Sequence, residues 1–241
     1  PILYHRDEVF ALFFTCDFDL AKARMPSDSL HPVKLPGPGN RSLLGIVAFH
    51  YRETSIGPYG EVGVVIPAVH GDRPPLPLLP AALEGRYPGF GNVVLHLPVT
   101  TPAARNAGRG EWGYAKFVGD MKFSYTPELH QCELSEGDEP ILTLRVAKGG
   151  MLARDNAPLS TYSVRDGELI KTVIPNKGIV RNELMPRNWA LELGNHEVSR
   201  SIRELDLSHR PLLSRSYTER SAILPSGVVI ERGARPLEGY Y

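Results

Sequence analysis

The chain has 241 residues, 42% of them hydrophobic, which is enough for a sizeable core in one large domain. Its 27 lysines and arginines balance 27 aspartates and glutamates, so the formal net charge is zero. The basic residues are scattered, which argues against the clustered charge of a nucleic-acid-binding protein. No apolar run approaches the ~20 residues that a membrane-spanning helix needs. We therefore expect neither nucleic acid nor membrane as a partner.

The two cysteines, Cys16 and Cys132, lie far apart and form no C-x-x-C pair. Such a pattern is typical of reduced thiols rather than of a disulfide framework. The N-terminal run PILYHRDEVFALFF has charged residues among its apolar ones, so it makes a poor signal peptide. We expect a cytoplasmic protein.

Strand-like runs, rich in β-branched and aromatic residues and separated by Gly, Pro, Asn and Asp, dominate the sequence. In chain order they lie at 8–15, 42–51, 61–69, 92–99, 115–125, 141–147, 169–175, 189–194 and 227–232. Strands that do not alternate with long helices disfavour a doubly wound parallel sheet. They favour an antiparallel barrel or sandwich, here as one domain over residues 1–241.

Helical signals are few. Residues 17–26 begin with Asp17 as a capping residue and end at Pro26, and a short turn is expected at 101–107. The Pro-rich segment 70–85 is predicted to be a surface connection, with a rim or lid as the alternative.

The stretch GRGEWGYAKF (108–117) contains G-x-G-x-x-G, the pattern of a dinucleotide-binding turn. That turn requires a hydrophobic strand before the first glycine and a helix after the last. Here the polar TTPAARNA precedes Gly108 and a strand-like run follows Gly113, so we reject a nucleotide site. There is also no G-x-S-x-G or H-E-x-x-H motif, and no two of the eight histidines stand at i, i+4. We expect no metal.

Lys116 lies among apolar neighbours within the same stretch. A lysine is normally protonated, with a pKa of ~10.4, and an ammonium group is not a nucleophile. Burial in an apolar pocket disfavours the charged form and leaves a neutral amine that can attack a ketone. On a strand, Lys116 would share a face with Tyr114 and Val118. The plainer alternative is a lysine on the solvent face of a strand.

Four motifs in order resemble the acetoacetate decarboxylase family. GRGEWGYAK matches the family's G-R-E and Y/F-P-K-K motifs, which places its imine-forming lysine at Lys116. SIGPYGEVGVVIPA (55–68) resembles the segment that carries a glutamate, here Glu61. KTVIPNKG (171–178) and SAILPSGVVIER (221–232) resemble the family's I-I-P-N and L-P-x-x-x-V-I segments. The similarity covers most of the chain.

The resemblance implies a mainly β fold: a cone-like antiparallel β-barrel with flanking strands and a few short helices. It further implies a homo-oligomer and a covalent imine through lysine, with no other cofactor. In the namesake enzyme this lysine is a known example of activation by desolvation or a neighbouring cation.

The sequence departs from the family at three positions. Phe117 replaces the second lysine of the pair, Gly110 replaces the glutamate of G-R-E, and a further glutamate falls at Gly45. The family's N-terminal arginine falls near Arg6. Because so much charge is lost, we expect a larger and less charged substrate than acetoacetate.

Lys116 and Glu61 are therefore the predicted catalytic pair, with Glu61 moving a proton. The alternative for Glu61 is an ordinary ion pair with an arginine. Further candidates for substrate binding are Tyr114, Arg109, Tyr59, His50, His96, Trp112 and Phe117. For Arg109 we favour bracing of the loop over a contact with a carboxylate, and a lone strand histidine such as His96 is more often structural.

The predicted function is a Schiff-base carbon–carbon lyase, decarboxylase-like or aldolase/dehydratase-like, acting on a keto acid or related carbonyl compound. Two alternatives stay open. One is a barrel that binds a small molecule without covalent chemistry, and the other is an isomerase or cyclase that uses Glu61 as its base.

Overall fold

The computed structural model describes residues 1–237, and their regular structure is mostly strand. The strands are β1 (Ile2–Asp17), β2 (Leu30–Pro32), β3 (Arg41–Thr54), β4 (Tyr59–His70), β5 (Phe90–His96), β6 (Asp120–Tyr125), β7 (Leu129–Glu136), β8 (Glu139–Ala147), β9 (Met151–Asp155), β10 (Leu159–Arg165), β11 (Glu168–Ile174), β12 (Asn176–Leu184), β13 (Trp189–Leu193), β14 (Leu213–Leu224) and β15 (Val228–Arg232). The helices are α1 (Phe18–Ala23), α2 (Leu79–Leu83), α3 (Pro102–Trp112) and α4 (Glu197–Arg203), with a 3-10 turn at Glu84–Arg86. Within this part of the chain, no helix has the length and apolar character to cross a membrane.

Eleven strands form one large sheet in the order β15-β11-β10-β5-β4-β3-β1-β14-β12-β9, with β2 attached to β4. Its neighbouring strands are antiparallel except β5 and β10, which run parallel. This agrees with the predicted mainly β, largely antiparallel fold. Within residues 1–237 the strand order is an open path from β15 to β9, so backbone hydrogen bonds do not close the expected barrel.

Short connections nevertheless bring the two ends of this sheet together. Pro175 alone joins β11, next to one edge, to β12, next to the other. Residues 156–158 likewise join β9 to β10. A chain spans at most about 3.6 Å per residue, so such links leave no room for a flat sheet. The sheet curls into an open barrel around an interior cavity.

The central strand β4 shows how the two faces of this sheet differ. Side chains of successive residues point to opposite faces of a strand. One set of β4 side chains lines the interior cavity: Glu61, Gly63, Val65 and Pro67. The other set packs in the main hydrophobic core: Val62, Val64, Ile66 and Ala68. Because both faces are covered, β4 is buried almost throughout and shows no polar–apolar alternation.

A second sheet, of order β13-β8-β7-β6, covers the outer face together with α4. The main core lies between these layers. Its largest fully buried side chains include Phe10, Leu12, Ile46, Ile66, Ile141, Leu144 and Ile202.

Each of the nine predicted strands overlaps an observed strand, but the run 115–125 is strand only from Asp120 onward. Six strands were not predicted: β2, β7, β9, β10, β12 and β14. Several of them have few apolar residues, as in LSRSYTERSAIL of β14. That strand is held by ladders to β1 on one side and β12 on the other, a stabilisation that local composition does not reveal.

The helices also differ in length from expectation. Helix α3 begins after Thr101, whose hydroxyl accepts a hydrogen bond from the Ala104 backbone amide, and it continues five residues beyond the expected end at 107. Gly113, with φ at 66°, ends it in the left-handed conformation that favours glycine. The Pro-rich segment 70–85 contains α2 and part of the 3-10 turn, and it contributes to the cavity wall instead of only connecting strands.

Candidate active site

Lys116 lies in the extended connection between α3 and β6. The Ala115 and Phe117 carbonyls accept hydrogen bonds from the Leu97 and Val99 amides at 3.0 and 2.9 Å, which fix this connection beside the end of β5. Successive side chains alternate in direction, so Tyr114 and Lys116 reach the cavity while Phe117 packs in the main core. Lys116 is 3% exposed, so it is not the solvent-face lysine of the plainer reading.

Helix α3 packs directly on the Lys116 side chain at Gly108. A Cβ placed on Gly108 would lie 2.5 Å from both Cδ and Cε of Lys116. Only glycine leaves room there for the lysine stem. The first glycine of the G-x-G-x-x-G pattern therefore serves helix–lysine packing, and the last, Gly113, ends the helix.

Glu61 meets the lysine from β4. Its Oε2 lies 2.6 Å from Lys116 Nζ, and its Oε1 accepts a hydrogen bond of 3.0 Å from the Tyr51 hydroxyl. Glu61 is 5% exposed, so the two charged groups form a buried pair. Such a pair persists in a low-dielectric interior because the opposite charges meet at hydrogen-bond distance and each Glu61 oxygen accepts a hydrogen bond.

A cluster of tyrosines surrounds the pair. The Tyr4 ring stacks on Tyr51 at 4.4 Å, and the Tyr4 hydroxyl lies 3.0 Å from that of Tyr59. The rings of Tyr59 and Tyr114 lie 5.9 and 5.8 Å from Lys116 Nζ. Burial and the nearby Glu61 charge raise the pKa of Tyr51 well above its usual value, so its hydroxyl keeps the proton that it donates to Glu61.

Lys116 and Glu61 both face an interior cavity of about 320 Å³. Most of its wall is apolar and comes from β1, β3, β4, β5, β10 and β14 together with α2. Apolar members include Ala11, Phe13, Val47, Phe49, Val65, Phe90, Val94, Leu159, Ile174 and Leu213. An apolar cavity with a few convergent polar groups is the usual form of a small-molecule site.

A second buried ion pair contributes to the same site. Arg220 of β14 lies in the cavity wall, and its Nη1 donates to Asp7 Oδ2 at 2.7 Å. Burial raises the pKa of Asp7 to about 6 despite the arginine beside it. Asp7 and Arg220 are 0% and 7% exposed. Neither residue was predicted, and Arg6, suggested by the resemblance, is exposed at the adjacent position.

The two histidine candidates lie outside the cavity. His50 falls between the cavity residues Phe49 and Tyr51, so it points to the other face, where it stacks on Phe123 at 4.2 Å. His96 would share the cavity face of Val94 in a regular strand. The β4–β5 register shifts, pairing Val65 with Val94 but Val64 with His96, and this bulge turns His96 toward the main core. Its Nε2 lies 2.7 Å from the Ser201 hydroxyl.

Three further candidates also lie outside the cavity wall. Trp112 is buried beside Tyr114 and donates its indole N–H to the Pro225 carbonyl at 2.7 Å. Arg109 lines a separate cleft on the other side of Tyr114. Phe117 packs in the main core because its side chain points away from that of Lys116 along the extended connection. Tyr59 contacts the site without forming cavity wall, so Tyr114 is the one further candidate that does line it.

Two positions where the family's glutamates are missing differ in their surroundings. A Cβ on Gly45 would lie 2.8 Å from Phe13 Cε1, so the Phe13 ring fills the space that a glutamate would need. Gly110 faces open space on α3. Within residues 1–237, no group of three or more His, Cys, Asp or Glu is arranged to hold a metal ion.

Fold and site together define a class: a mainly β protein whose curled sheet encloses a buried lysine paired with a carboxylate. The family model of acetoacetate decarboxylase (ADC) matches residues 1–231, and the chain belongs to this family. No curated protein matches it by sequence.

Solved structures of several relatives share the fold. Acetoacetate decarboxylase from Legionella pneumophila is 17% identical with a TM-score of 0.69, covering 96% of this chain and 88% of its own. The enduracididine biosynthesis enzyme MppR, complexed with pyruvate, is 11% identical with a TM-score of 0.68, covering 96% and 91%. An acetoacetate decarboxylase-like enzyme from Sphingomonas wittichii RW1 is 14% identical with a TM-score of 0.65, covering 96% and 94%.

Proposed function

We propose that this protein is an enzyme that forms an imine between Lys116 and the carbonyl carbon of a keto acid or related compound. One observation carries the proposal: an amine and a carboxylate lie 2.6 Å apart, both buried, at the wall of a largely apolar cavity. Family membership and the imine-forming lysine that the resemblance places at Lys116 support it.

Glu61 has the position required to move protons during imine formation. Its Oε2 accepts the proton of the ammonium, which frees the nitrogen lone pair to attack the carbonyl carbon. The same proton then returns to the carbonyl oxygen, and loss of water leaves an iminium. Tyr51 keeps Glu61 oriented through its hydrogen bond to Oε1. The atoms of this step balance with substrate, lysine, glutamate and water alone.

The iminium is an electron sink that serves several reactions. It accepts the electron pair left when CO2 departs from a β-keto acid. It also acidifies the neighbouring carbon, whose proton passes to Glu61 and leaves an enamine for aldol addition, its reversal or dehydration. Relatives suggest such breadth, because MppR has also been solved with the condensation product of pyruvate and imidazole 4-carboxaldehyde.

Borohydride reduction with a panel of keto acids and ketones, followed by intact mass and peptide mapping, tests the proposal. We expect a covalent adduct on Lys116 that disappears in Lys116→Ala. Lys171 provides a matched control because it is also partly buried, with a pKa lowered by burial, and its Nζ lies 5.4 Å from the Tyr162 ring. Lys171→Ala should keep the adduct.

Two results would overturn the proposal. An adduct mapped to Lys171 or spread over surface lysines would remove Lys116 from its role. Ligand binding without any adduct would favour the non-covalent binding protein. The homo-oligomer and the cytoplasmic location stay predictions, the first of which light scattering would test.

A further inference from the structure

Arg220 is a buried cation whose hydrogen-bonding capacity is only partly used. Nη1 donates to Asp7, while Nε and Nη2 make no hydrogen bond to any residue within 1–237. The guanidinium carbon lies 5.7 Å from the Phe49 ring and 5.9 Å from the Tyr217 ring, so aromatic contacts fix its orientation. An arginine keeps its charge at every relevant pH, and its N–H groups match both oxygens of a carboxylate.

Arg220 also lies near the reactive pair. Phe49, which it contacts, stacks on Tyr51 at 5.5 Å, and Tyr51 hydrogen-bonds Glu61. All these residues except Asp7 form wall of the same cavity. A ligand whose carbonyl reaches Lys116 therefore has a cationic donor available within the space that it occupies.

The second cavity arginine lacks this capacity. Arg215 donates Nε to Asn182 and both Nη atoms to Glu84, so each of its three nitrogens already has a protein partner. Most other cavity groups are apolar, from Phe13 and Val47 to Leu159 and Leu213. Besides the lysine that forms the imine, the described cavity wall thus offers Arg220 as a cation with unused donors, while most of the wall is apolar.

We propose that Arg220 binds a carboxylate that the substrate keeps throughout the reaction, and that this substrate is a keto acid with a bulky apolar substituent. The inference rests on the imine chemistry proposed for Lys116 and narrows it. A carboxylate held by arginine is stabilised as an anion, and that stabilisation is lost as the group becomes neutral CO2. Such binding favours the ground state over a decarboxylation transition state. A substrate that keeps its carboxylate does not carry it on the carbon next to the ketone, as a β-keto acid does. The carboxylate is instead bonded to the carbonyl carbon itself, as in an α-keto acid.

The step that follows is enamine formation. The iminium carbon's neighbour loses a proton to the Glu61 carboxylate, and the electrons of that C–H bond become the C=C bond of the enamine. Return of a proton from Glu61 regenerates the iminium, and water releases the keto acid and the free lysine. In D2O the same cycle exchanges that hydrogen for deuterium without loss of CO2.

The test compares benzylpyruvate with benzylacetone, which differ only by a methyl group in place of the carboxylate. We expect Arg220→Lys to slow borohydride trapping of benzylpyruvate on Lys116 by about 10–100-fold, the weight of a charge-assisted hydrogen bond. Trapping of benzylacetone should change less than about twofold, and this also reports that the variant is folded.

The matched control is Arg41→Lys, because Arg41 pairs with Asp206 outside the cavity. This variant should change the trapping of neither compound. If the single variant is unstable, Asp7→Asn with Arg220→Met removes the pair without leaving a buried charge.

If Arg220→Lys slowed trapping of benzylpyruvate and benzylacetone equally, or slowed neither, the role of Arg220 in binding the carboxylate would be overturned. If the enzyme released CO2 from benzoylacetate faster than it exchanged deuterium into benzylpyruvate, the proposal that the substrate keeps its carboxylate would be overturned. A calorimetric titration of benzylpyruvate into Lys116→Ala separates this inference from the proposed function. If the affinity falls when Arg220 is replaced in this background, the carboxylate-binding role of Arg220 holds even though no imine forms. If the affinity does not depend on Arg220, that role is overturned.

Discussion

The two faces of the large sheet carry different kinds of buried polar group. The cavity face holds two ion pairs, Lys116–Glu61 and Arg220–Asp7, at the interior cavity. The core face holds groups that burial makes neutral. Burial lowers the pKa of His96 in β5 to about 4 and raises that of Cys16 in β1 to about 12, so neither is ionised near neutral pH.

This difference separates chemistry from packing on the same strands. A neutral buried group fills space but offers no charge to a substrate. A charged side chain that lines a cavity can instead pair with an oppositely charged group of a ligand. Substitutions on the cavity face should change turnover more than stability, and substitutions on the core face should do the reverse.

The largest effect is expected from Glu61→Gln. The amide keeps the size of the side chain but cannot accept a proton, so deuterium exchange or turnover should fall by about 10²–10⁴-fold. Slow borohydride trapping on Lys116 should persist, because the amine remains. Full activity in this variant would transfer the proton-moving role to another residue.

Leu12→Ala tests the core face. Leu12 of β1 is fully buried in the main core, so truncation should lower the free energy of unfolding by about 2–5 kcal/mol, measured by urea denaturation. The trapping rate of the folded protein should stay unchanged. A reduced rate at normal stability would contradict the separation of the two faces.

Asp7→Asn probes the second ion pair through pH. The Asp7 carboxyl has a pKa of about 6 in the fold against an ordinary 3.8, so it binds its proton more tightly when folded. Its stabilising contribution is present below the lower value and is lost as pH rises through about 6. Relative to Asp7→Asn, the wild-type free energy of unfolding should therefore fall by about 2 kcal/mol between pH 4 and pH 7.

The groups that act on Asp7 are Arg220, Glu8 and Glu61. The comparison uses only the change with pH, because loss of the Arg220 partner shifts the absolute stability of the variant. If the free energy of unfolding changed with pH in the same way in both proteins, Asp7 would have the same pKa in the folded and unfolded states, and the prediction would be wrong.

The smallest effect is expected from Gly108→Ala. The added methyl group displaces the lysine stem, so trapping on Lys116 should slow by about tenfold, since misplaced reacting groups lose rate steeply. Gly110→Ala on the same helix is the matched control, because no atom lies within 4 Å of its added Cβ. It should leave the rate unchanged and raise stability by up to ~1 kcal/mol through helix propensity. Equal rates in both variants would mean that the Gly108 contact does not position the lysine.

The fold class and the meeting of Lys116 with Glu61 could be predicted from sequence because four motifs occur in the family's order. The length of α3 could not. Gly108 and Gly110 suggest the end of a helix in the sequence. In the structure, packing against Lys116 requires glycine at position 108, whereas the surroundings of Gly110 would accept a side chain.

Arg220 was missed for a physical reason. In SRSYTERSAIL it resembles an ordinary surface charge, and its burial depends on two neighbouring strands and on Asp7, 213 residues away. His96 was misplaced because one extra residue in β5 reverses the direction of its side chain, and alternation read from sequence cannot show that bulge. Long-range pairing and register decide both cases.

The segment 71–86 suggests a route to redesign. It supplies Leu78, Ala81, Ala82, Glu84 and Gly85 to the cavity wall, yet none of the reactive groups. Exchanging it would alter which molecules fit while leaving the amine and its carboxylate in place, provided that an acidic side chain remains opposite Arg215. A library confined to this one surface stretch is therefore a practical starting point for directing the protein toward new compounds.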